Sequence, residues 1–174
     1  MANIRKAKSL VVLVLQLTFA FGAIVSTAAA SAPKYMRITL RGVKAVGVQI
    51  GPMNSEVENL GLGKEQIQTE VELTLRRNGI PVAPDSSSTN GHLFVVVNCI
   101  AVSNLKGALA CSLSMELLQD VRLVRDPNIS SQASTWKTGA VALRDLSSLR
   151  QDIRDMADEF SNDYLEQNGK DSRR

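Results

Sequence analysis

The chain has one histidine, two cysteines and one tryptophan, and each scarcity removes a class of function. With His92 as the only histidine, a metal site would have to rest on carboxylates and thiols, and no group of these has ligand spacing. A serine triad needs that same histidine and a nucleophile elbow, yet G-x-S-x-G does not occur. No metal and no catalytic residue is therefore expected, and His92 should simply begin a strand.

Cofactor motifs fail for equally specific reasons. The stretch GLGKEQ, Gly61 to Gln66, sits where a phosphate loop would lie. Glu58, however, occupies the first glycine position of G-x-x-x-x-G-K, and Glu65 the position of the magnesium-holding hydroxyl. Gln66 stands where the dinucleotide fingerprint needs its third glycine. Two carboxylates beside a polyphosphate repel it, so no cofactor is expected; Gly61 should turn the chain and Gly63 cap the following helix. The stretch STWKTG, Ser134 to Gly139, matches both S-x-x-K and K-T-G of penicillin-binding enzymes. Those elements use two different lysines, whereas Lys137 would have to be both, and no S-D-N accompanies them. Ser103 to Lys106 is a similar chance match in a turn.

What is present begins with a leader. Arg5, Lys6 and Lys8 precede an apolar run from Leu10 to Val25, and small residues follow as far as Ala32. This is the layout of a secretory signal peptide over residues 1–30, with cleavage between Ala30 and Ser31. Sixteen residues fall short of the ~20 that span a bilayer, so a retained anchor is the weaker expectation. Residues 31–169 then form one domain with a core of its own, and 170–174 a frayed tail. Cleavage takes three of the twenty basic residues and no acidic one, leaving seventeen of each sign. A neutral mature chain lacks the field expected of a nucleic-acid or anionic-membrane binder, and no stable membrane insertion is expected. The location implied is periplasmic or secreted.

Period-two runs predict an extended segment from Tyr35 to Ile50, interrupted at Gly42 and Gly47. From Lys64 to Asn78, Ile67, Val71 and Leu75 recur every four residues; acids come early and Arg76 and Arg77 late, as a helix and its dipole require. Gly79 is the expected left-handed stop, with Ile80 folding back on Leu75. Pro84 to Gly91 should be a polar loop. His92 to Val102 is dense in β-branched residues and predicts a central strand. After a turn at Asn104–Gly107, Cys111, Leu113, Met115, Leu117, Val121 and Leu123 alternate with polar residues, a strand with one wet face.

Closing that turn around Leu105 sets Cys99 opposite Cys111 on one face, and a one-residue slip separates them. In an exported chain the pair is either a disulfide or two small buried hydrophobes. Asp126 to Ser134 is expected to be a loop containing the sequon Asn128-Ile-Ser130, and Thr135 to Val141 a fourth strand holding Trp136. A second amphipathic helix should start at Ser148, capped by Ser148 and Gln151, with Leu149, Ile153, Met156, Phe160 and Tyr164 inward. The acids Asp152, Asp155, Asp158, Glu159 and Asp163 crowd this helix, usually the mark of a solvated face.

The order of Leu40–Gly42, Leu75–Ile80 (LRRNGI), Thr135–Gly139 (TWKTG) and Glu159–Leu165 (EFSNDYL) resembles a group of uncharacterised secreted bacterial proteins. In element order the chain also looks like the amino-terminal domain of TolB and related envelope-assembly domains. Neither resemblance implies catalytic residues.

The expected architecture is α+β, a two-layer sandwich in the order β-α-β-β-β-α. Both helices cover one face of a mostly antiparallel four-stranded sheet. The expected role is a non-enzymatic binding or scaffolding module with an envelope or extracellular protein partner, working through an exposed sheet face or edge. The alternative is a small-ligand-binding protein or hydrolase with an acidic or serine site. A flat apolar strip on the sheet favours the first and a cleft with a perturbed carboxylate the second.

Overall fold

A computed structural model describes residues 32–59, 61–83, 91–105 and 107–169. The Ala30–Ser31 junction, most of the polar loop (84–90) and the tail (170–174) lie outside the described residues. A short helix α1 (Lys34–Arg37) runs into a 3-10 turn (Ile38–Leu40) and is followed by β1 (Gly47–Ile50). Helices α2 (Ser55–Asn59) and α3 (Lys64–Arg77) lead to β2 (His92–Ala101), β3 (Leu109–Leu123) and β4 (Asp126–Arg144). Helix α4 (Leu146–Asn168) ends the fold. The four strands lie in the order β1-β2-β3-β4, with β1 parallel to β2 and the other pairs antiparallel. A parallel pair needs a long crossover, and α2 and α3 supply it. The fold is thus α+β, with the two long helices over one face of a mixed sheet.

Strand periodicity builds the core. Leu93, Val95, Val97 and Cys99 of β2 face Leu117, Met115, Leu113 and Cys111 of β3, and all eight are buried. Trp136 of β4 continues the layer opposite Leu117. Ile67, Val71 and Leu75 of α3 and Leu149, Ile153, Met156 and Phe160 of α4 close over it. Each such side chain contributes about 1.5–3 kcal/mol of transfer free energy before ordering entropy is subtracted. The register sets Cys99 directly opposite Cys111 with their sulfurs 2.13 Å apart, the separation of a disulfide.

The glycines of GLGKEQ are punctuation. Gly61 (φ 88°) closes α2, its N–H donating to Glu58 O at 3.0 Å while Leu62 N–H donates to Val57 O at 3.3 Å. Gly63 then opens α3. Gly79 (φ 80°) ends α3 the same way, with Gly79 N–H to Arg76 O at 3.0 Å and Ile80 N–H to Leu75 O at 2.9 Å. Both stops are Schellman motifs, in which the left-handed residue carries no Cβ penalty.

Three expectations need correction. Tyr35 to Leu40 is helical, not extended: Ile38 is 49% exposed while Leu40 is fully buried, so the period-two residues do not share a face. Tertiary bonds fix this piece, Asn168 Nδ2–H donating to Leu40 O at 2.9 Å. Asp126 to Ser134 is not a loop but the first half of β4, a strand that runs through Arg144. Beyond the Leu118–His92 pair, β3 has only β4 beside it among the described residues, and the two form an arm turning at Val124 and Arg125. An arm with no buried face has no apolar alternation to announce it. Finally, α4 is capped by Asp145 and not by Ser148 with Gln151: Asp145 Oδ1 accepts from Ser148 N–H at 2.7 Å, and Gln151 bonds within the helix to Asp155 and Arg154.

Placing a carboxylate in this core leaves it without a partner. Val71→Asp or Ile153→Asp should therefore unfold the domain or lower its stability by more than about 3 kcal/mol, read from urea denaturation; an unchanged midpoint refutes the packing. Replacing both Cys99 and Cys111 by Ala should cost about 3 kcal/mol by the chain-entropy relation for so short a loop, measured against the oxidised protein.

Candidate functional site

The helix-free face of the sheet is not the polar surface a one-sided sheet normally shows. Side chains cross it in rows: Ile100–Ala110–Leu143, then Asn98–Ser112–Val141, then Val96–Ser114–Gly139, then Phe94–Glu116–Lys137. Ile100 is 63%, Val141 78% and Leu143 51% exposed. On this face β3 contributes the small residues Ala110, Ser112 and Ser114, while β2 contributes Val96 and Ile100 and β4 contributes Val141 and Leu143. The result is a shallow trough with β3 as its floor, into which two adjoining depressions open. Gly139 helps keep the floor low, since a Cβ there would lie 2.7 Å from Leu113 O. At the far end Lys137 Nζ and Glu116 Oε1 pair at 2.9 Å. The floor therefore offers hydroxyls and the walls offer methyl groups.

Several residues singled out in the sequence lie elsewhere and do structural work. In GLGKEQ, Arg150 Nη2 donates to Gly61 O and Gln66 Oε1, both at 3.2 Å, tying the loop to α4. In STWKTG, Trp136 is buried, Thr138 turns inward and Lys137 makes the surface pair just described. His92 is half-buried at the start of β2, between Gly47 and Leu118. Asn128 of the sequon is exposed on the arm, its N–H donating to Asp126 Oδ1 at 3.1 Å.

The acids of α4 are each engaged. Asp152 pairs with Arg144 (2.5 Å), Asp155 accepts from Gln151 (2.7 Å), and Asp158 accepts from Asn78 (2.7 Å). Glu159 accepts from Thr138 Oγ1 at 2.7 Å. Asp163 Oδ2 accepts from Trp136 Nε1–H at 2.9 Å, with Arg37 Nη1 at 3.9 Å from its other oxygen. Trp136 in turn meets Phe160 edge to face, centroids 5.0 Å apart. Burial raises the Asp163 carboxyl above its ordinary value against the lowering effects of Trp136 and Arg37, and burial likewise raises the Tyr164 phenol. Asp163 is the perturbed carboxylate to look for, but it lines neither depression and points into the aromatic core. Among the described residues no group of His, Cys, Asp and Glu is arranged to hold a metal ion.

Ile100, Val141 and Leu143 were not singled out by the sequence. For Ile100 the signal was there in β2, where Phe94, Val96 and Ile100 alternate with Leu93, Val95, Val97 and Cys99, so that both faces of the strand carry apolar residues.

No family model matches the chain, and no curated protein matches it. Among solved structures, a minor lipoprotein from Acinetobacter baumannii is similar at 12% identity and a TM-score of 0.29, over 68% of this chain and 90% of that one. At that score the likeness establishes neither a shared fold nor a shared role. It is also not a TolB domain, so the TolB likeness drawn from element order gains nothing from it. No described helix is long and apolar enough to cross a membrane, a statement about helices and not about β-barrels.

A carboxyl raised in the fold favours the folded state below its unfolded value and loses that advantage as pH rises through the folded value. The stability of the native protein relative to Asp163→Asn should therefore improve as pH falls from Asp163's raised value toward the ordinary ~3.9. Paired urea midpoints across pH 3–7 measure it; a difference independent of pH refutes the assignment.

Proposed function

We propose that the chain is an exported, non-enzymatic binding or scaffolding module, its leader removed between Ala30 and Ser31, that docks another protein on the helix-free face of its sheet. The observation that carries this reading is the trough walled by Ile100, Val141 and Leu143, three large apolar side chains more than half exposed. Contiguous apolar surface of this kind, rimmed by polar groups, marks interaction sites. The neutral charge of the mature chain argues for a protein partner over nucleic acid or an anionic membrane. The compartment follows from the leader: periplasm, envelope or extracellular space.

Size limits the kind of contact. Three strands ~4.8 Å apart and seven residues at ~3.4 Å give a face of roughly 14 by 24 Å, on the order of 340 Å². Stable complexes bury about 800 Å² per partner, so this face supports a transient contact, or a larger one that also engages the arm. The hydrolase alternative draws no support from Asp163, whose raised carboxyl serves Trp136 in the interior.

Crosslinking in the native host with a carboxy-terminally tagged chain, followed by mass spectrometry, tests the reading. One reproducible envelope or extracellular partner is expected. It should disappear in the triple variant Ile100→Glu, Val141→Lys, Leu143→Glu while the melting temperature stays within about 3 °C, since these are surface positions. Retention of the partner by that variant overturns the face as the site, and capture of nothing but the chain itself overturns the module.

A further inference from the structure

The outer edge of β4 carries a row of main-chain groups with nothing to bond. Gly51 N–H donates to Val95 O at 2.8 Å, so Val95 turns its main-chain groups toward β1 and away from β3. Its partner Met115 therefore turns toward β4, and Thr138, opposite Met115, turns back toward β3. Directions alternate along a strand, and the β3–β4 pairing runs without a shift from Trp136 to Arg144. The N–H and C=O of Lys137, Gly139, Val141 and Leu143 thus point out from the free edge. Among the described residues only the Leu143 carbonyl has a partner there, the Arg144 guanidinium at 3.1 Å.

The amino-terminal segment does not close this row. Residues 32–43 are strapped along α4, by Ala32 N–H to Glu159 Oε1 (3.2 Å), Arg37 to Glu166 (2.7 Å) and Tyr164 Oη–H to Val43 O (2.8 Å). They meet the edge at Thr135, whose carbonyl accepts from Thr39 Oγ1 at 3.1 Å. Open edges are normally guarded by proline, bulges or charge. From Lys137 to Leu143 there is no proline and no register shift, and the one charge, Lys137, is already paired with Glu116 at 2.9 Å.

We propose that this edge pairs with the same edge of a second copy of the chain, the two β4 strands running antiparallel about a twofold axis at Val141. The occupant follows from self-complementarity. That register sets Val141 against Val141, Gly139 against Leu143, and Lys137 against Asp145 of the second copy. Leu143 then covers the bare backbone of Gly139, and Lys137 gains a second carboxylate. On the other face Ala140 meets Ala142, side chains small enough for the strands to close to ~4.8 Å. Registers centred at Gly139 or Ala140 instead set Lys137 against Val141 or Leu143 and leave its charge without a counterpart. Each outward pair exchanges two bonds, about six over the three central pairs. The axis is normal to the sheet, so the two helix-free faces adjoin into one surface on the order of 700 Å². The dimer stands or falls independently of the protein partner proposed above, whose docking face it leaves open.

Sedimentation velocity on the purified native protein tests it. In a dilution series from about 100 µM to 1 µM the protein should sediment as two chains at the upper end. Val141→Pro removes an outward N–H and no bond to β3, so it should sediment as one chain throughout, with a melting temperature within about 3 °C of the native value. Val141→Cys is a second readout should the proline variant fold poorly. Hydrogen-bonded cross-strand partners lie about 5.5 Å apart at Cα, within disulfide range, so mild oxidation should link two chains through this residue. Ile100→Cys, also exposed on this face but two strands from the edge, should not link. A native protein that stays a single chain overturns the dimer; if Val141→Pro then loses a crosslinked protein partner, the edge belongs to that partner. A dimer that Val141→Cys fails to link, or that Val141→Pro leaves undiminished, overturns the edge as its interface.

Discussion

A pleated strand carries side chains on two faces, and this sheet has helices for only one of them. Everything else in the molecule follows from how that imbalance is handled. On the covered face the solution is complete: β2, β3 and β4 send Val95, Val97, Leu113, Met115, Leu117 and Trp136 into a layer that α3 and α4 seal. Register and burial enforce one another there, because slipping β3 by one residue would exchange Met115 for Ser114 and Leu113 for Ser112 in the core. On the uncovered face the solution is partial. Ser112, Ser114, Glu116 and Lys137 meet water as polar groups, but Ile100, Val141 and Leu143 leave apolar surface exposed beside them.

The polar interior is the second consequence. Covering the sheet at Trp136 buries an indole N–H that must find an acceptor, and Asp163 provides it from α4. A carboxylate drawn that far from water needs help in turn, and Arg37 supplies it from the amino-terminal segment. One aromatic side chain thereby links β4, α4 and α1 through a chain of obligations, each partner being there because the previous one was buried. The crowd of acids along α4 is explained the same way, as anchors for Arg144, Asn78, Thr138, Ala32 and Trp136.

What the sequence revealed, it revealed through periodicity. The four-residue rhythm of Ile67, Val71 and Leu75, the Gly79–Ile80 stop and the alternation from Cys111 to Leu117 all depend on local geometry, and all were legible. Elements that depend on distant partners were not. Met36, Ile38 and Leu40 look like a strand in isolation and become helical because Asn168 and the flank of α4 hold them so. Ser130, Ser131 and Gln132 look like a loop and become a strand because Arg122, Val121 and Asp120 of β3 lie opposite. The trough was half legible, since a β2 strand with apolar residues on both faces says that each is covered but not by what. Nothing local told the buried Asp163 from its exposed helix neighbours, because its difference is made by Trp136, twenty-seven residues away.

The strapping of residues 32–43 along α4 also governs when folding can finish. Arg37 meets Glu166 and Gly42 meets Asn168 across separations of 129 and 126 residues, so this segment waits for α4. On a chain synthesised or translocated from its amino terminus, the β2–β3 and β3–β4 hairpins can form early from neighbouring sequence. The opening segment must stay unpaired until α4 arrives. Closing so long a loop is entropically slow, and such high contact order makes the joining of the two chain ends the natural last step of folding.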